Sequence, residues 1–294
     1  MLLTLFLGPI SALAAPPAPE RIRLWGARAP VGDGRSEATP SDAVLTVYRP
    51  DQPNGAALVI CPGGSYVMRA TGPEGTHIAE WLNRHGITGA VLDYRLPRGR
   101  PDVPLLDAEQ AIRIVRSRAR AWGVDPHRVG IIGFSAGGHL AASAASLHAP
   151  IQVGANDPLA RLSSRPDFTI LIYPVISMQD GLTHRESRTH LLGRQPGAAL
   201  IRRHSIEMQV GPDTPPTYLA HAVDDPDVPI GNSRAYAQAL RAQPNGKPVE
   251  LLELPSGGHG LDGFQGPNWK AWQAGSLKWL ARQRIIPAEA VGTP

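Results

Sequence analysis

Val129-Gly-Ile-Ile-Gly133-Phe134-Ser135-Ala136-Gly137 decides how the rest of the chain is read. Its first half is an apolar run with the character of a buried strand, and the alanine-rich segment Ala136 to Leu147 has helical spacing. Ser135 therefore falls on a sharp strand-to-helix turn inside the pattern G-x-S-x-G. In a chain with 31 glycines that pattern alone is weak; the strand before it and the helix after it give it meaning. Gly133 and Gly137 leave room for the backbone to bend with the serine held outward, and a helix N-terminus there favours developing negative charge. Ser135 is the candidate nucleophile, and the N–H of Ala136 is a candidate oxyanion donor.

Outward from this turn, short aliphatic or β-branched runs alternate with longer segments of helical period. Strand candidates are Ala43 to Tyr48, Ala57 to Ile60, Gly89 to Asp93, Val129 to Gly133, Phe168 to Ile172, Thr217 to His221 and Val249 to Leu254. Helix candidates are Gly75 to Arg84, Leu106 to Trp122, Ala136 to Leu147, Ser233 to Ala242 and Trp269 to Arg282. This alternation predicts an α/β chain with a mostly parallel central sheet flanked by helices, and the serine turn predicts the α/β-hydrolase arrangement of it. A long connection with only short helical pieces, Arg188 to Leu192 and Ala198 to His204, reads as a small cap insertion around 176–213. Residues 15–40, rich in Pro and Gly, read as an irregular leader, and 41–286 as a single domain.

A serine hydroxyl is a poor nucleophile without an adjacent base, itself oriented by a carboxylate, and in this fold the chain order is Ser, then Asp or Glu, then His. His259 is the only histidine after His221 and lies in the flexible loop Ser256-Gly-Gly-His-Gly260, which makes it the candidate base. Asp224, Asp225 and Asp227 compete for the acid, and the Asp-x-x-Val-Pro register common in such hydrolases favours Asp225. Further oxyanion donors are sought in the loop after an early strand, where Cys61-Pro-Gly-Gly-Ser-Tyr66 offers Gly64 and Ser65.

Composition bounds the alternatives. The 294 residues are 42% hydrophobic and 18% charged, ordinary for a globular chain with a substantial core. The net charge of +4 comes almost wholly from arginine, and Arg113, Arg116, Arg118 and Arg120 are scattered along predicted helix, which reads as a solvated face and predicts no nucleic-acid partner. The apolar run from Met1 ends in Ala12-Leu13-Ala14, a small-x-small pattern, so 1–14 reads as a secretory signal and predicts a secreted or periplasmic protein, although no Lys or Arg precedes the run. That run is too short to span a bilayer, and no later segment has the ~18 consecutive apolar residues of a membrane helix, so stable membrane insertion is not expected. Cys61, the only cysteine, reads as a buried small hydrophobe. His184, His190 and His204 show no metal-ligand spacing and read as polar surface residues; the chemistry calls for neither metal nor cofactor.

The chain resembles bacterial secreted carbohydrate esterases of the α/β-hydrolase family, the group of acetylxylan esterases and feruloyl esterases. The resemblance spans about Ala56 to Ala281 and rests on Cys-Pro-Gly-Gly-Ser-Tyr (61–66), Glu74-Gly-Thr76 with Ala79-Glu-Trp-Leu82, Asp93-Tyr-Arg-Leu-Pro97, Gly-Phe-Ser-Ala-Gly-Gly-His-Leu-Ala (133–141), Tyr173-Pro-Val-Ile-Ser-Met178, Pro212-Asp-Thr-Pro-Pro216 and Gly257-Gly-His-Gly260. By position it implies Ser135 as nucleophile, Asp225 as acid and His259 as base. Two departures stand out: Ser65 replaces a third glycine, and Asp227 replaces an apolar residue. The resemblance implies hydrolysis of short acyl esters, O-acetyl groups on plant polysaccharide or sugar, with feruloyl esterase or a general short-chain lipase or esterase as alternatives. The partner expected is a small ester or acylated oligosaccharide. Tyr66 and Trp269 are candidate stacking surfaces for sugar rings, as is Trp272, with core packing the competing reading. A peptidase of the prolyl-oligopeptidase type usually carries a large extra domain, and a non-catalytic binding protein would break the Ser, Asp, His set. These motifs fix neither pocket shape nor oligomeric state.

Overall fold

The computed structural model describes residues 17–26, 29–30, 43–244 and 246–292. The proposed signal at 1–14 and most of the leader lie outside the described residues. Within them an eight-stranded sheet forms the middle layer, in the order β1-β2-β4-β3-β5-β6-β7-β8. The strands are β1 Glu20–Arg23, β2 Val44–Tyr48, β3 Gly55–Cys61, β4 Thr88–Asp93, β5 Val124–Phe134, β6 Thr169–Ile172, β7 Thr217–Ala222 and β8 Val249–Leu254. β1 pairs antiparallel with β2, and β2 antiparallel with β4; every other neighbouring pair is parallel. β1 corrects the expectation of a wholly irregular leader. Glu-Arg-Ile-Arg exposes alternate residues at the sheet edge, so it carries no apolar run to announce it.

The central strand β3 is apolar throughout and buried past its first residue, because both faces of the sheet are covered there. In β3, Ala57, Val59 and Cys61 pack into one core layer, and Ala56, Leu58 and Ile60 into the other. Helices α2 Asp102–Arg118, α3 Ser135–Ser146 and α6 Gly231–Arg241 cover the first face, through residues such as Ile112, Val115, Leu140 and Tyr236. Helices α1 His77–Arg84 and α7 Pro267–Arg282 cover the second, through Trp81, Leu82, Trp272 and Leu280. α2 starts four residues before the apolar periodicity does, because Pro104 sits in the first helical turn, where its missing N–H costs nothing.

The chain leaves β3 to make β4 on one side and returns to make β5 on the other. The loops after β3 and β5 therefore part in opposite directions, which opens a crevice at the carboxyl ends of the strands. Between β6 and β7 the insertion holds α4 Arg185–Leu192 and α5 Ala198–His204. Its root is pinned by the buried Asn232 of α6. Asn232 Oδ1 accepts the Ile176 and Ser177 N–H groups at 3.0 and 2.9 Å, and its Nδ2 donates to Leu182 and Pro229 carbonyls at 2.8 and 3.0 Å. No described helix is long and apolar enough to cross a membrane.

Candidate active site

Ser135 opens α3 at the end of β5 with φ of 51°, the left-handed region that costs a residue with a side chain. Two glycines make the turn possible by close approach. A Cβ on Gly133 would drive into the Gly137 carbonyl, and a Cβ on Gly137 would drive into the Cys61 and Pro62 carbonyls at the end of β3. The nucleophile turn is thus clamped between its own helix and the next strand's loop.

Asp225 follows β7 and His259 follows β8, so three parallel strands deliver their ends to one point. His259 Nε2 lies 2.9 Å from Ser135 Oγ, and His259 Nδ1 lies 2.8 Å from Asp225 Oδ2. The carboxylate orients the ring so that Nδ1 carries its proton and Nε2 faces the hydroxyl as an acceptor. The other carboxyl oxygen, Oδ1, accepts the Asp227 and Val228 N–H groups, both at 2.9 Å. His221 Nε2 donates to the Val228 carbonyl at 2.9 Å and approaches Asp225 Oδ2 at 3.2 Å, while its Nδ1 accepts the Ser233 hydroxyl at 2.7 Å. Burial works against the Asp225 charge, but hydrogen bonds from His221, His259 and Val228 outweigh it and hold the carboxyl well below the usual range. For His259, burial again opposes the charged form, and the Asp225 hydrogen bond with the charges of Asp225, Asp227 and Glu74 raises it above its ordinary 6.5.

Of the three candidate acids, Asp225 alone reaches His259. Asp224 instead accepts the Gly258 N–H at 2.9 Å, bracing the histidine loop. Asp227 is exposed, with a carboxyl oxygen within 4.8 Å of a carboxyl oxygen of Asp225 and a ring nitrogen of His259. These three side chains could group around a metal, yet the Asp225 oxygens and both His259 nitrogens are already committed to protein hydrogen bonds.

The loop after β3 runs under Ser135. Gly64 has φ of 121°, a conformation that demands glycine, and a Cβ there would meet the Met68 carbonyl oxygen at 2.6 Å. Ser65 and Tyr66 sit at 55° and 60°, in the left-handed region that residues with side chains do adopt, which explains how serine stands where a third glycine is usual. The Gly64 carbonyl accepts both the Val67 and Met68 N–H groups, closing the loop on itself.

Tyr66 and Trp269 do not serve as sugar platforms in this structure. Tyr66 is 2% exposed: its ring packs edge-on to Tyr94 and His139, and its hydroxyl donates to His139 Nδ1 at 2.9 Å. Trp269 stacks on Phe134 at 6.0 Å and is boxed in by Trp272 and Phe264, and Trp272 is fully buried. Trp269 and Trp272 fill the second core because that face of α7 turns inward, and Tyr66 packs in the first. His204 is another correction: it is buried rather than a surface residue, and desolvation lowers it to about 4. Its backbone carbonyl accepts His139 Nε2–H at 2.8 Å, tying the insertion to α3. In the insertion, burial lowers the pKa of His184, against the opposing charges of Glu186, Asp227 and Asp225, and its Nδ1 lies 2.8 Å from the Ser187 hydroxyl.

Glu74, Tyr173, His139 and His221 also converge here, and none was singled out for chemistry from the sequence. Each is a polar residue inside an apolar or turn segment, and only the fold brings them together.

An eight-stranded, mostly parallel sheet with a strained serine at the β5–α3 turn and Ser, Asp, His delivered in that order defines an α/β-hydrolase fold. The chain belongs to the BD-FAE family, whose model matches residues 45–240. It is 40% identical over 223 residues to an acetylxylan esterase of Xylanibacter ruminicola, covering 74% of this chain and 44% of that protein. It is 33% identical over 236 residues to endo-1,4-beta-xylanase B of Butyrivibrio fibrisolvens, covering 78% of this chain and 36% of that one. The chain thus spans less than half the length of these two curated relatives. Among solved structures, an acetyl ester-xyloside bifunctional hydrolase of Caldicellulosiruptor lactoaceticus superposes with a TM-score of 0.85 at 37% identity, covering 92% of this chain and 98% of the other.

Proposed function

We propose that the chain is a serine carboxylesterase that removes short acyl groups, chiefly O-acetyl groups of plant polysaccharides and their sugars. The observation that carries this reading is the unbroken hydrogen-bonded line from Ser135 Oγ through His259 to Asp225. The substrate class is supported by the acetylxylan esterase and the acetyl ester-xyloside hydrolase among its relatives. An export signal at 1–14 fits the same reading, since a polymeric substrate stays outside the cell.

In the first step Ser135 Oγ attacks the ester carbonyl while His259 Nε2 takes its proton. The tetrahedral oxyanion is held by the N–H of Ala136 with those of Gly64 and Ser65. His259 then returns the proton to the departing sugar alcohol, leaving Ser135 acylated. In the second step water, deprotonated by His259, attacks the acyl carbonyl; the acid leaves and Ser135 regains its proton. Asp225 stays ionised throughout and stabilises the imidazolium.

The test is acid release from acetylated xylan and from a feruloylated sugar, side by side, with Ser135→Ala as the blank. Acetate release that Ser135→Ala loses is the expected result. Ferulate release instead would move the assignment to a feruloyl esterase, and release of neither with activity on phenyl esters would overturn the substrate class.

A further inference from the structure

A second buried carboxyl group lies beneath the nucleophile turn and has no part in the hydrogen-bonded line just described. Glu74 belongs to the helical turn Gly72–Thr76 that precedes α1 and is 4% exposed. One of its oxygens, Oε2, accepts the Gly63 N–H at 2.6 Å. The other, Oε1, accepts the Tyr173 hydroxyl at 2.8 Å. A buried acid is costly unless its oxygens are engaged, and here both are engaged by groups that flank Ser135.

Each of those contacts leads to a different part of the chemistry. Gly63 begins the loop that carries the Gly64 and Ser65 N–H groups, and its own carbonyl is held by the Ala70 N–H at 3.0 Å. A Cβ on Gly63 would lie 2.8 Å from Glu74 Oε2 and 2.9 Å from the Ser135 Cβ, so carboxylate, loop and nucleophile meet at one packed point. Tyr173 follows β6 with φ of 37°, and its ring centroid is 4.7 Å from that of His259. Its backbone is fixed by the Ala220 carbonyl at 2.8 Å.

Resting on the esterase reading, we propose that Glu74 is a positioning residue. It sets the oxyanion loop through Gly63, steadies His259 through Tyr173, and adds a negative charge beside those of Asp225 and Asp227 to the imidazolium that forms when His259 takes the Ser135 proton. The charges that face His259 are Asp225 and Asp227 after β7, Glu74 after β3 and His184 of the insertion. Those that face Glu74 are His259, Tyr173 and Tyr94, whose hydroxyl donates to the Pro62 carbonyl at 2.8 Å. Burial leaves the Glu74 carboxyl above its ordinary value, and the Tyr173 and Gly63 hydrogen bonds with the His259 charge offset part of that rise in favour of the ionised form. Removing the Glu74 charge must therefore lower the His259 pKa.

The experiment compares Glu74→Gln and Glu74→Ala with the parent chain, measuring kcat, KM and the pH dependence of kcat/KM on p-nitrophenyl acetate, with Ser135→Ala as blank. Glutamine keeps an acceptor for Gly63 and a partner for Tyr173 without the charge. Its acid limb is expected to move to lower pH, with KM within about threefold of the parent. Alanine releases the loop as well, and its kcat is expected to fall by about 10²-fold, the scale of losing one oxyanion donor. An acid limb in Glu74→Gln that coincides with the parent's overturns the proposal, and so does an alanine variant with the parent's kcat. Should the alanine variant not fold, the glutamine profile decides alone. Parent activity that survives in Ser135→Ala would instead sink the esterase reading itself, which keeps the two failures apart.

Discussion

Replacing Asp225 by asparagine changes one atom and should stop the reaction. The Oδ1 side of Asp225 accepts two backbone N–H groups, from Asp227 and Val228, both at 2.9 Å. An asparagine must therefore keep its carbonyl oxygen on that side, which turns its NH₂ toward His259 Nδ1 and His221 Nε2, at the places now 2.8 and 3.2 Å from Oδ2. His221 cannot yield, because its Nε2 proton is already given to the Val228 carbonyl. His259 is then driven to the tautomer with its proton on Nε2, pointing at Ser135 Oγ, where it can no longer accept one. Tautomer reversal at such a site costs on the order of 10⁴ in kcat, about 5 kcal/mol of transition-state stabilisation. The assay is kcat on p-nitrophenyl acetate for Asp225→Asn and, as a control, Asp224→Asn, which keeps an oxygen to accept the Gly258 N–H, loses only the charge and should stay within about tenfold of the parent. A kcat for Asp225→Asn within tenfold of the parent would refute the reasoning.

Further expectations follow from the same geometry. Because His259 must be unprotonated to accept the serine proton, and its pKa is raised, kcat/KM should climb with pH through a midpoint above 6.5. Asp227→Asn should move that midpoint downward, and a pH–rate profile that is flat from pH 5 to 8 would rule out His259 as the base. Gly137→Ala should lose activity and melt well below the parent, since its Cβ has no space against the Cys61 and Pro62 carbonyls; parent-like kcat and Tm would contradict that. Trp269→Ala should cost about 3–5 kcal/mol, with a Tm drop on the order of 10 °C, by hollowing the core beside Phe134. Its KM for acetylated xylo-oligosaccharide should stay unchanged where the protein is folded, and a KM increase in folded protein would restore Trp269 as a sugar contact.

What was legible in the sequence was what is local or ordered along the chain. The serine turn announces itself through its own glycines and the runs on either side, and the order Ser, Asp, His follows from where loops fall after apolar strands. Asp225 could be preferred but not separated from Asp224 and Asp227 by pattern; a 2.8 Å contact across 34 residues separates them. β1 was missed because an edge strand with only Ile22 and Glu20 half-covered has no apolar signature. β5 starts at Val124, five residues before its predicted start, since Val124 pairs with Gly55 and the polar Asp-Pro-His-Arg that follows bridges an irregular register to Val129 without looking like a strand. Tyr66 and Trp269 could not be assigned by pattern for the converse reason: an aromatic ring suits a sugar and a core equally well, and only the face it turns to decides. Glu74 lies in Gly72-Pro-Glu-Gly75, where no local apolar pattern announces burial, and its burial comes from contacts with Gly63 and Tyr173, distant in sequence.

The central claim is that Ser135 is an activated nucleophile, and intact-mass analysis after treatment with a fluorophosphonate tests it most directly. The account predicts one covalent adduct, mapped by peptide fragmentation to Ser135, absent from Ser135→Ala and formed far more slowly in His259→Ala. Folded parent protein that takes up no adduct, or an adduct that persists in Ser135→Ala, would contradict it.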